Sequence, residues 1–357
     1  MVSRNVMIGI VAAIVVIIAG AGVYALMQTP PPVEETIKIA VLMPGSITDA
    51  GWNAVMYQSA LEFANAMNNT VVVTTAEGLG QVGVQPTLED YAQRGYQMEI
   101  CWTIQYNPDA IAVAKKYPNT WFFVAGGYQT NSNVVALIQP LWEGTFLAGM
   151  VAAGVTNSNI IGAIAGYNYP SVAADPNAFY LGAKYINPAI TALPTIFAGV
   201  WDDVGKGRES GEALIAQGAD VLYGRGDGLT LGVIQAASGH YGTADTVYMV
   251  GDMADQNALA SKTVITSVMA PQKPVLTNLY NMYKNGTLKT NSDNNIRTYT
   301  WGIKYGAVAL APFHGLDYKV PANIKLRIAS AIAAIKAGTF QVILNYSTGA
   351  VTTSGVF

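Results

Sequence analysis

The residues that decide the fold are Ile37-Lys38-Ile39-Ala40-Val41-Leu42-Met43, followed by Pro44-Gly45-Ser46-Ile47-Thr48-Asp49 and Ala50-Gly51-Trp52-Asn53. The first seven residues form an apolar run of strand length, and Pro44-Gly45-Ser46 is a turn signal. Thr48 or Asp49 can cap a following helix, because their side-chain oxygens accept hydrogen bonds from the free N–H groups of a first helical turn. The stretch therefore predicts a strand, a tight turn and a helix.

The same alternation of strands and helices continues along the chain. Further strands are predicted at 71–74, 98–103, 120–124, 160–165, 192–197, 220–223 and 246–250, and helices at 53–67, 86–94, 108–117, 177–185, 206–217 and 231–238. Such alternation favours right-handed βαβ units and a parallel sheet. It forms two series that meet at Pro140 and Leu141. The sequence thus predicts an α/β protein of two lobes, each a doubly wound, mostly parallel sheet.

The composition limits the possible classes of function. The chain has 357 residues, a net charge of −3 and a charged fraction of 11%. Nucleic-acid binding requires clustered Lys and Arg, so nucleic acid is not an expected partner. Cys101 is the single cysteine, so no intrachain disulfide is possible, and His240 and His314 lack the spacing of zinc ligands. We expect neither a metal nor a cofactor.

The N-terminal segment is apolar over the length of a membrane helix. No charge lies between Val6 and Met27, and Arg4 precedes this run. Roughly 20 apolar residues span a bilayer. Residues 1–27 are therefore predicted to be either a signal peptide, cut after Ala25, or a membrane anchor. Residues 28–36 form a Pro-rich spacer, and the protein is expected at the extracellular face of the cell membrane, anchored or secreted.

Polar and aromatic residues gather where the predicted strands end. They are Asp49, Trp52, Trp102, Thr103, Trp201, Asp202, Asp203, Asp227 and Asp252. In doubly wound sheets, ligands bind beyond the carboxyl ends of the strands. With two lobes these ends can face each other, so we expect a ligand-binding cleft between the lobes.

Several segments resemble the basic membrane protein family, whose members are purine-nucleoside-receptor-like solute-binding proteins. The segments are Pro44–Asn53, Leu141–Gly149, Lys206–Glu209, Gln217–Val221, Gly251–Met253 and Trp301–Gly306. The last two resemble the branch that binds adenine or adenosine. The resemblance extends from about residue 37 to about residue 345, and its specificity comes from the order and spacing of the segments.

The resemblance implies a type I periplasmic-binding fold with strands that cross between the lobes. The crossings are expected near Gln139–Trp142, Thr266–Val268 and Thr298–Trp301. Lobe 1 then comprises 37–140 plus 268–299, and lobe 2 comprises 141–267 plus 300–357. The implied function is that of the solute-binding protein of an ABC importer. Its expected partners are a purine base or nucleoside, with adenine or adenosine favoured, and a membrane permease, and we expect a monomer.

Particular residues of the predicted cleft suit a purine. Trp52 offers a plate on which a base can stack, and the resemblance places Trp201 on the opposite lobe and Asn177 near the base. Asp252 can accept hydrogen bonds from an exocyclic amine or from ribose hydroxyls. The candidate ligand-binding set is completed by Asp49, Asn53, Trp102, Thr103 and Asp227.

Most of these residues also have a structural interpretation. Trp52 can pack under the first helix, and Asn177 can be a helix N-cap after Pro176. Asp49 can cap the first helix and Asp252 the turn that follows its strand. Asp227 can belong to a tight turn, because it lies between two glycines.

The chain departs from the nucleoside-binding branch at one place. That branch has a lysine, which reaches the ribose, after the strand that here reads Ile265–Met269. This chain has Ala270-Pro271 at that point, and Lys273 comes later, before Pro274. The departure favours recognition through the base and leaves adenosine open.

Other functional classes find less support in the sequence. The chain has no G-x-S-x-G elbow, no Walker A loop and no metal triad, so we expect no enzyme. A ligand-sensing surface receptor without transport would use the same fold, and a hydrolase is the remaining alternative, because the carboxylates can pair as acid and base.

Overall fold

The predicted strand-turn-helix unit opens the folded part of the chain. Ile37–Leu42 forms β1, in which Lys38 alone is exposed, and Trp52–Ala66 forms α1. Asp49 lies before α1 and accepts hydrogen bonds from the backbone N–H groups of Asn53 and Ala54, at 2.9 and 3.0 Å. The first turn of a helix leaves such donors free, so the carboxylate stabilises the start of α1.

The computed structural model describes Ser3, Val6, Met7 and residues 36–68, 70–243, 246–288 and 298–357. The chain divides into two units, Met1–Ile37 and Lys38–Phe357. The predicted signal or anchor and the spacer lie almost entirely outside the described residues. In the part of the chain that is described, no helix is both long and apolar enough to span a bilayer.

The first sheet contains the strands that precede the first crossing, together with one late strand. Its strands are β1, β2 (Val71–Ala76), β3 (Met98–Cys101), β4 (Trp121–Ala125), β5 (Val134–Ile138) and β12 (Thr298–Thr300), in the order β12-β5-β4-β3-β1-β2. The pairs β1–β3, β3–β4, β4–β5 and β5–β12 are parallel. The order places β1 beside β3, as in a doubly wound sheet.

The second sheet is built from the second series of strands. These are β6 (Ile160–Ala165), β7 (Thr191–Ala192), β8 (Ile196–Phe197), β9 (Val221–Arg225), β10 (Tyr248–Met253), β11 (Val264–Met269) and β13 (Ala309–Leu310), in the order β13-β11-β10-β9-β6-β7, with β8 also on β6. The β11–β13 pair is antiparallel, whereas β6, β9, β10 and β11 run parallel. The predicted α/β fold of two parallel-sheet lobes is confirmed.

Helices cover the faces of both sheets. After α1 they are α2 (Gln85–Gln93), α3 (Asn107–Ala114), α4 (Leu141–Val155), α5 (Pro170–Ile186), α6 (Val204–Ile215), α7 (Gly228–Gly239), α8 (Lys273–Lys284) and α9 (Ala322–Ala337). Short 3₁₀ turns lie at Ile104–Tyr106, Asn257–Leu259, Ile303–Tyr305 and His314–Lys319. The packing of α5 on α4 is so close that a Cβ at Gly149 would lie 1.9 Å from the carbonyl oxygen of Phe179.

Proline changes two of the predicted elements. The predicted strand 192–197 is two short strands, β7 and β8, because Pro194 between them has no N–H for the ladder. Helix α5 begins at Pro170, earlier than predicted, and keeps Pro176 in its interior. Asn177 is therefore not an N-cap.

The C-terminal residues form a hairpin against the second lobe. Phe340–Leu344 forms β14, which pairs antiparallel with β15 (Val351–Gly355). Phe340 is fully buried and belongs to the core that α4 and α5 share with the second sheet. The sequence after Tyr346 has no pattern that predicts a strand. The hairpin was therefore not predicted, and its tertiary contacts order it.

Over the described residues, the chain crosses between the two sheets three times. It leaves the first sheet after Ile138, returns between Met269 and Lys273, and leaves again after Thr300. Glu143 of α4 accepts a hydrogen bond from the N–H of Ile303 at 2.8 Å, so the first crossing is tied to the last. The residue boundaries given above for the two lobes stay a prediction.

A glutamate lies in the core of the first lobe. Glu99 of β3 is fully buried between Ala40 of β1 and Phe122 of β4. Neither of its carboxyl oxygens has a hydrogen-bond partner among the described residues. Burial raises the pKa of Glu99 to about 9, so the folded protein holds this side chain protonated at neutral pH.

We expect Glu99→Gln to make stability less dependent on pH. The folded state keeps the Glu99 proton up to about pH 9, whereas the unfolded chain releases it near its ordinary pKa of 4.5. Native stability should therefore fall by up to about 1.4 kcal/mol per pH unit as the pH rises between these values. Denaturant unfolding at pH 5, 7 and 9 measures this slope, with exposed Glu62→Gln as the control. Equal slopes in the native protein and Glu99→Gln would contradict the assignment.

Candidate ligand-binding cleft between the lobes

A cavity of about 120 Å³ lies between the lobes, beside the crossings. The first lobe contributes Trp52, Trp102 and Gly126 to its wall, and the second contributes Asp175 and Arg225. Residues at or next to the crossings add Gln139, Leu141, Trp142, Gln272 and Trp301. The wall also includes Ala125, Leu137, Ile138, Ser171, Val172, Val275 and Tyr346, so it is largely apolar, with several aromatic rings and a few polar groups.

Two tryptophans of the first lobe stack in this cavity. The ring centroids of Trp52 and Trp102 are 4.4 Å apart, with 19° between the planes. Each indole N–H donates to the other residue's carbonyl oxygen, at 2.8 Å from Trp52 and 2.9 Å from Trp102. The sequence places one residue after a strand and the other at the start of α1, and the reciprocal hydrogen bonds fix them as one flat surface.

A buried arginine faces this surface from the second lobe. Arg225 ends β9, and its Cζ lies 6.0 Å from the ring centroid of Trp52. Its Nε donates to Oδ2 of Asp175 at 2.8 Å, and its Nη1 donates to Oδ2 of Asp252 at 2.9 Å. Asp175 comes from α5 and Asp252 from β10, so one guanidinium ties three elements of the lobe together.

The two carboxylates of this network differ in their remaining contacts. Oδ1 of Asp252 accepts from the Tyr223 hydroxyl at 3.1 Å, so both of its oxygens are bonded. Oδ1 of Asp175 has no partner among the described residues. Burial raises the pKa of Asp175 to about 7, although the nearby Arg225 opposes the shift. Burial also raises the pKa of Asp252, again against Arg225.

The lobes also touch at the loop before α1. Asp227 of the second lobe accepts a hydrogen bond from the backbone N–H of Trp52 at 3.1 Å, and Gln256 donates to the carbonyl oxygen of Ala50 at 3.3 Å. A Cβ at Gly51 would lie 2.6 Å from Oδ1 of Asp227, so glycine permits this approach. Burial and the nearby Asp49 raise the pKa of Asp227 to about 7.

Of the residues predicted from the sequence, Trp52 and Trp102 line the cavity. Asp49 and Asn53 order the turn before α1, because Asn53 donates to Asp49 and accepts from the N–H of Gly45. Thr103 bonds to Gln105 in the following turn. The structure thus places these three polar residues in the supporting turns of the first lobe.

The other predicted residues lie in the second lobe, outside the cavity wall. Asn177 donates to the carbonyl oxygen of Gly349 at 2.8 Å and so holds the C-terminal hairpin. Trp201 packs against Tyr167, with ring centroids 5.2 Å apart, and its carbonyl oxygen accepts from the N–H of Asp227. Asp252 and Asp227 make the contacts described above.

Asp175 and Arg225 line the cavity but are not among the ligand-binding residues predicted from the sequence. Arg225 had a usable signal, because it is a charge at the carboxyl end of an apolar strand, the position where ligands bind. Asp175 had none, since it lies within a helix next to a proline. Across the described residues, no group of three or more His, Cys, Asp or Glu side chains is placed to hold a metal ion.

Paired α/β lobes with a cleft at their crossings define a periplasmic-binding-protein-like fold. A solved ABC transporter solute-binding protein from Aeropyrum pernix K1 has this fold, with a TM-score of 0.71 and 18% identity over 87% of this chain and 94% of that one. This likeness concerns the fold alone.

The chain belongs to the Bmp family of ABC transporter substrate-binding proteins, described as PnrA-like, which it matches over residues 36–338. The family resemblance seen in the sequence is confirmed. Proteins of this class act outside the cytoplasm, where they bind small molecules and interact with a membrane permease; they are solute-binding proteins rather than enzymes.

Three curated relatives carry different names. A purine-binding protein of Brucella abortus (strain 2308) is 28% identical over 85% of this chain and 82% of its own length. A putative glucose-binding protein of Haloferax volcanii is 30% identical, but over 54% of this chain and about half of its own length, 49%. The transcriptional activator protein med of Bacillus subtilis (strain 168) is 27% identical over 93% and 96%.

We expect Gly51→Ala to separate the lobes. The added Cβ collides with Asp227, and overpacking of this kind costs about 1–3 kcal/mol. Opening of the cleft relieves the collision, so the radius of gyration measured by small-angle X-ray scattering should increase. Gly239→Ala, where nothing lies within 4 Å of the new Cβ, is the control. An unchanged radius in Gly51→Ala would show that the loop adjusts locally.

Proposed function

We propose that this protein captures a purine base or nucleoside, in the first place adenine or adenosine, between its lobes for import by an ABC permease. The observation that carries the proposal is the flat surface formed by Trp52 and Trp102, which is fixed by its own hydrogen bonds. A planar base gains about 1–3 kcal/mol from stacking on an aromatic side chain.

The shape of the site favours stacking on one outer face of the tryptophan pair. A base between two rings needs about 7 Å between their planes, twice the optimal contact distance. Trp52 and Trp102 are 4.4 Å apart and hydrogen-bonded to each other, so they act as a single plate. Trp142 and Trp301 add aromatic walls to the same cavity. In our proposal the base therefore stacks on this pair rather than between Trp52 and Trp201.

The size of the cavity supports capture by closure. An apolar cavity of about 150 Å³ holds one benzene molecule. The cavity here is about 120 Å³, too small to admit a purine in this state. We infer that the ligand enters when the lobes separate, and that rotation about the crossings encloses it. The closed form then docks on the permease.

The N-terminal residues suit a protein that works at the outer face of the membrane. In our proposal residues 1–27 hold the monomer there, or are removed on export, and residues 28–36 separate the receptor from the bilayer. The mass of the mature protein distinguishes the two cases.

Sensing without transport is the second candidate function. It is favoured by the similarity to the Bacillus subtilis relative named as a transcriptional activator. Uptake of labelled adenine in a deletion strain separates the two. Transport predicts that uptake is lost, whereas sensing predicts normal uptake and a lost transcriptional response.

Calorimetric titration with adenine, adenosine, guanosine, inosine and glucose tests the ligand class. We expect heat of binding with at least one of the purines, because each presents a flat face to the tryptophan pair. Glucose has no such face and should not bind. Binding of glucose without binding of any purine would overturn the proposal.

Trp52→Ala should weaken purine binding at least tenfold, about 1.4 kcal/mol. The change removes the stacking surface and the hydrogen bond that orients Trp102. Trp121→Ala, which removes a tryptophan outside the cavity wall, is the matched control for loss of an aromatic side chain from the same lobe. If Trp52→Ala binds purines as tightly as Trp121→Ala does, Trp52 has only a packing role.

A further inference from the structure

Asp175 presents an unused hydrogen-bond acceptor in the wall of the cleft. The residue is 1% exposed and lines the cavity, and its Oδ2 accepts from Nε of Arg225. Within the described part of the chain, its Oδ1 has no partner. Buried carboxylate oxygens without a partner are rare in folded proteins because they lose their hydration without compensation. We therefore expect a hydrogen-bond donor of the ligand to pair with this oxygen.

The charges around Asp175 also favour a hydrogen-bond donor on the ligand. One guanidinium, that of Arg225, serves two carboxylates, Asp175 and Asp252. When both are ionised, the network carries one excess negative charge. Both oxygens of Asp252 are already bonded, and Asp252 does not line the cavity. Asp175 is therefore the carboxylate of this network that lies in the cavity wall, where its negative charge can act on a ligand.

The two amide side chains of the cavity wall, Gln139 and Gln272, already donate hydrogen bonds within the protein. Nε2 of Gln272 donates to Oε1 of Gln139 at 2.8 Å, and Nε2 of Gln139 donates to the carbonyl oxygen of Ala307. Ala270 and Pro271, which precede Gln272 in the chain, offer no polar side chain. Ser171 and Tyr346 also bring hydroxyl groups to the wall, but both residues are exposed, whereas the unpartnered oxygen of Asp175 is buried.

Resting on the proposed function, we propose that Oδ1 of Asp175 accepts a hydrogen bond from a ring N–H of the ligand, which is a free purine base. A free base carries an N–H on its five-membered ring, at N7 or N9. In a nucleoside N9 is bonded to the sugar, and this donor is lost. The unused acceptor in the cavity wall favours the ligand that has the extra donor.

Titration of the full-length chain, in mild detergent, with adenine, 9-methyladenine and adenosine tests the proposal. The methylated base keeps the flat ring and the exocyclic amine but has no ring N–H on its five-membered ring. We expect adenine to bind at least tenfold more tightly than both other compounds. Equal affinity for adenine and 9-methyladenine would overturn the ring N–H contact.

Asp175→Asn separates the hydrogen bond from the bulk of the methyl group. Nε of Arg225 needs an acceptor, so the amide oxygen of D175N turns to it and the NH₂ group faces the ligand. Two donors then oppose each other. Adenine should bind at least tenfold more weakly to D175N, whereas the affinity for 9-methyladenine should change less than twofold. Equal losses for both ligands would contradict the proposal.

Asp317→Asn is the control for loss of a paired carboxylate, because Asp317 forms an exposed ion pair with Lys325 away from the cleft. Thermal unfolding shows whether D175N folds; if it does not, the comparison of adenine with 9-methyladenine on the native protein decides. Failure of this proposal is distinct from failure of the proposed function. Tight binding of adenosine and 9-methyladenine removes the role of Asp175 and leaves a purine receptor, whereas no purine binding at all removes both.

Discussion

The buried guanidinium of Arg225 is the contact on which the cleft depends. It pairs with two carboxylates, one from α5 and one from β10, at the end of β9, in a place where an isolated charge would be strongly disfavoured. A buried ion pair adds little net stability when complete, but loss of one partner leaves a charge without compensation. The side chains at this end of the second lobe are therefore fixed together, and they present Asp175 and Arg225 to the first lobe in a defined geometry.

The first lobe meets this charged group with an apolar plate. The hydrogen bonds between Trp52 and Trp102 commit both indole N–H groups within the lobe, so the plate itself offers no directional recognition. In the proposed mode of binding, affinity and specificity are divided between the lobes. The first supplies stacking, which is tolerant of the kind of base. The second supplies the hydrogen bond. In this proposal a ligand gains both only when the lobes close, which would link binding to the shape that a permease recognises.

The sequence was informative about the cleft where local rules apply. Trp52 and Trp102 follow strands, and the rule that ligands bind at the carboxyl ends of parallel strands finds both. The same rule also selected Asp49, which caps α1, and Trp201, which packs against Tyr167. Position at a strand end places a residue near the cleft but does not determine which way its side chain points. The strand-end rule does not find Asp175, because this residue lies inside a helix.

The sequence by itself determined the α/β class and the two lobes, because apolar runs of strand length alternate with stretches of helical spacing, and the resemblance of several segments, in order, indicated the family. Only the tertiary structure decided which polar groups are satisfied. Asp252 has both oxygens bonded, whereas Asp175 has one oxygen without a partner among the described residues. That difference arises because Arg225 pairs with both carboxylates but the Tyr223 hydroxyl bonds only Asp252, an arrangement that exists only when β9, β10 and α5 pack together.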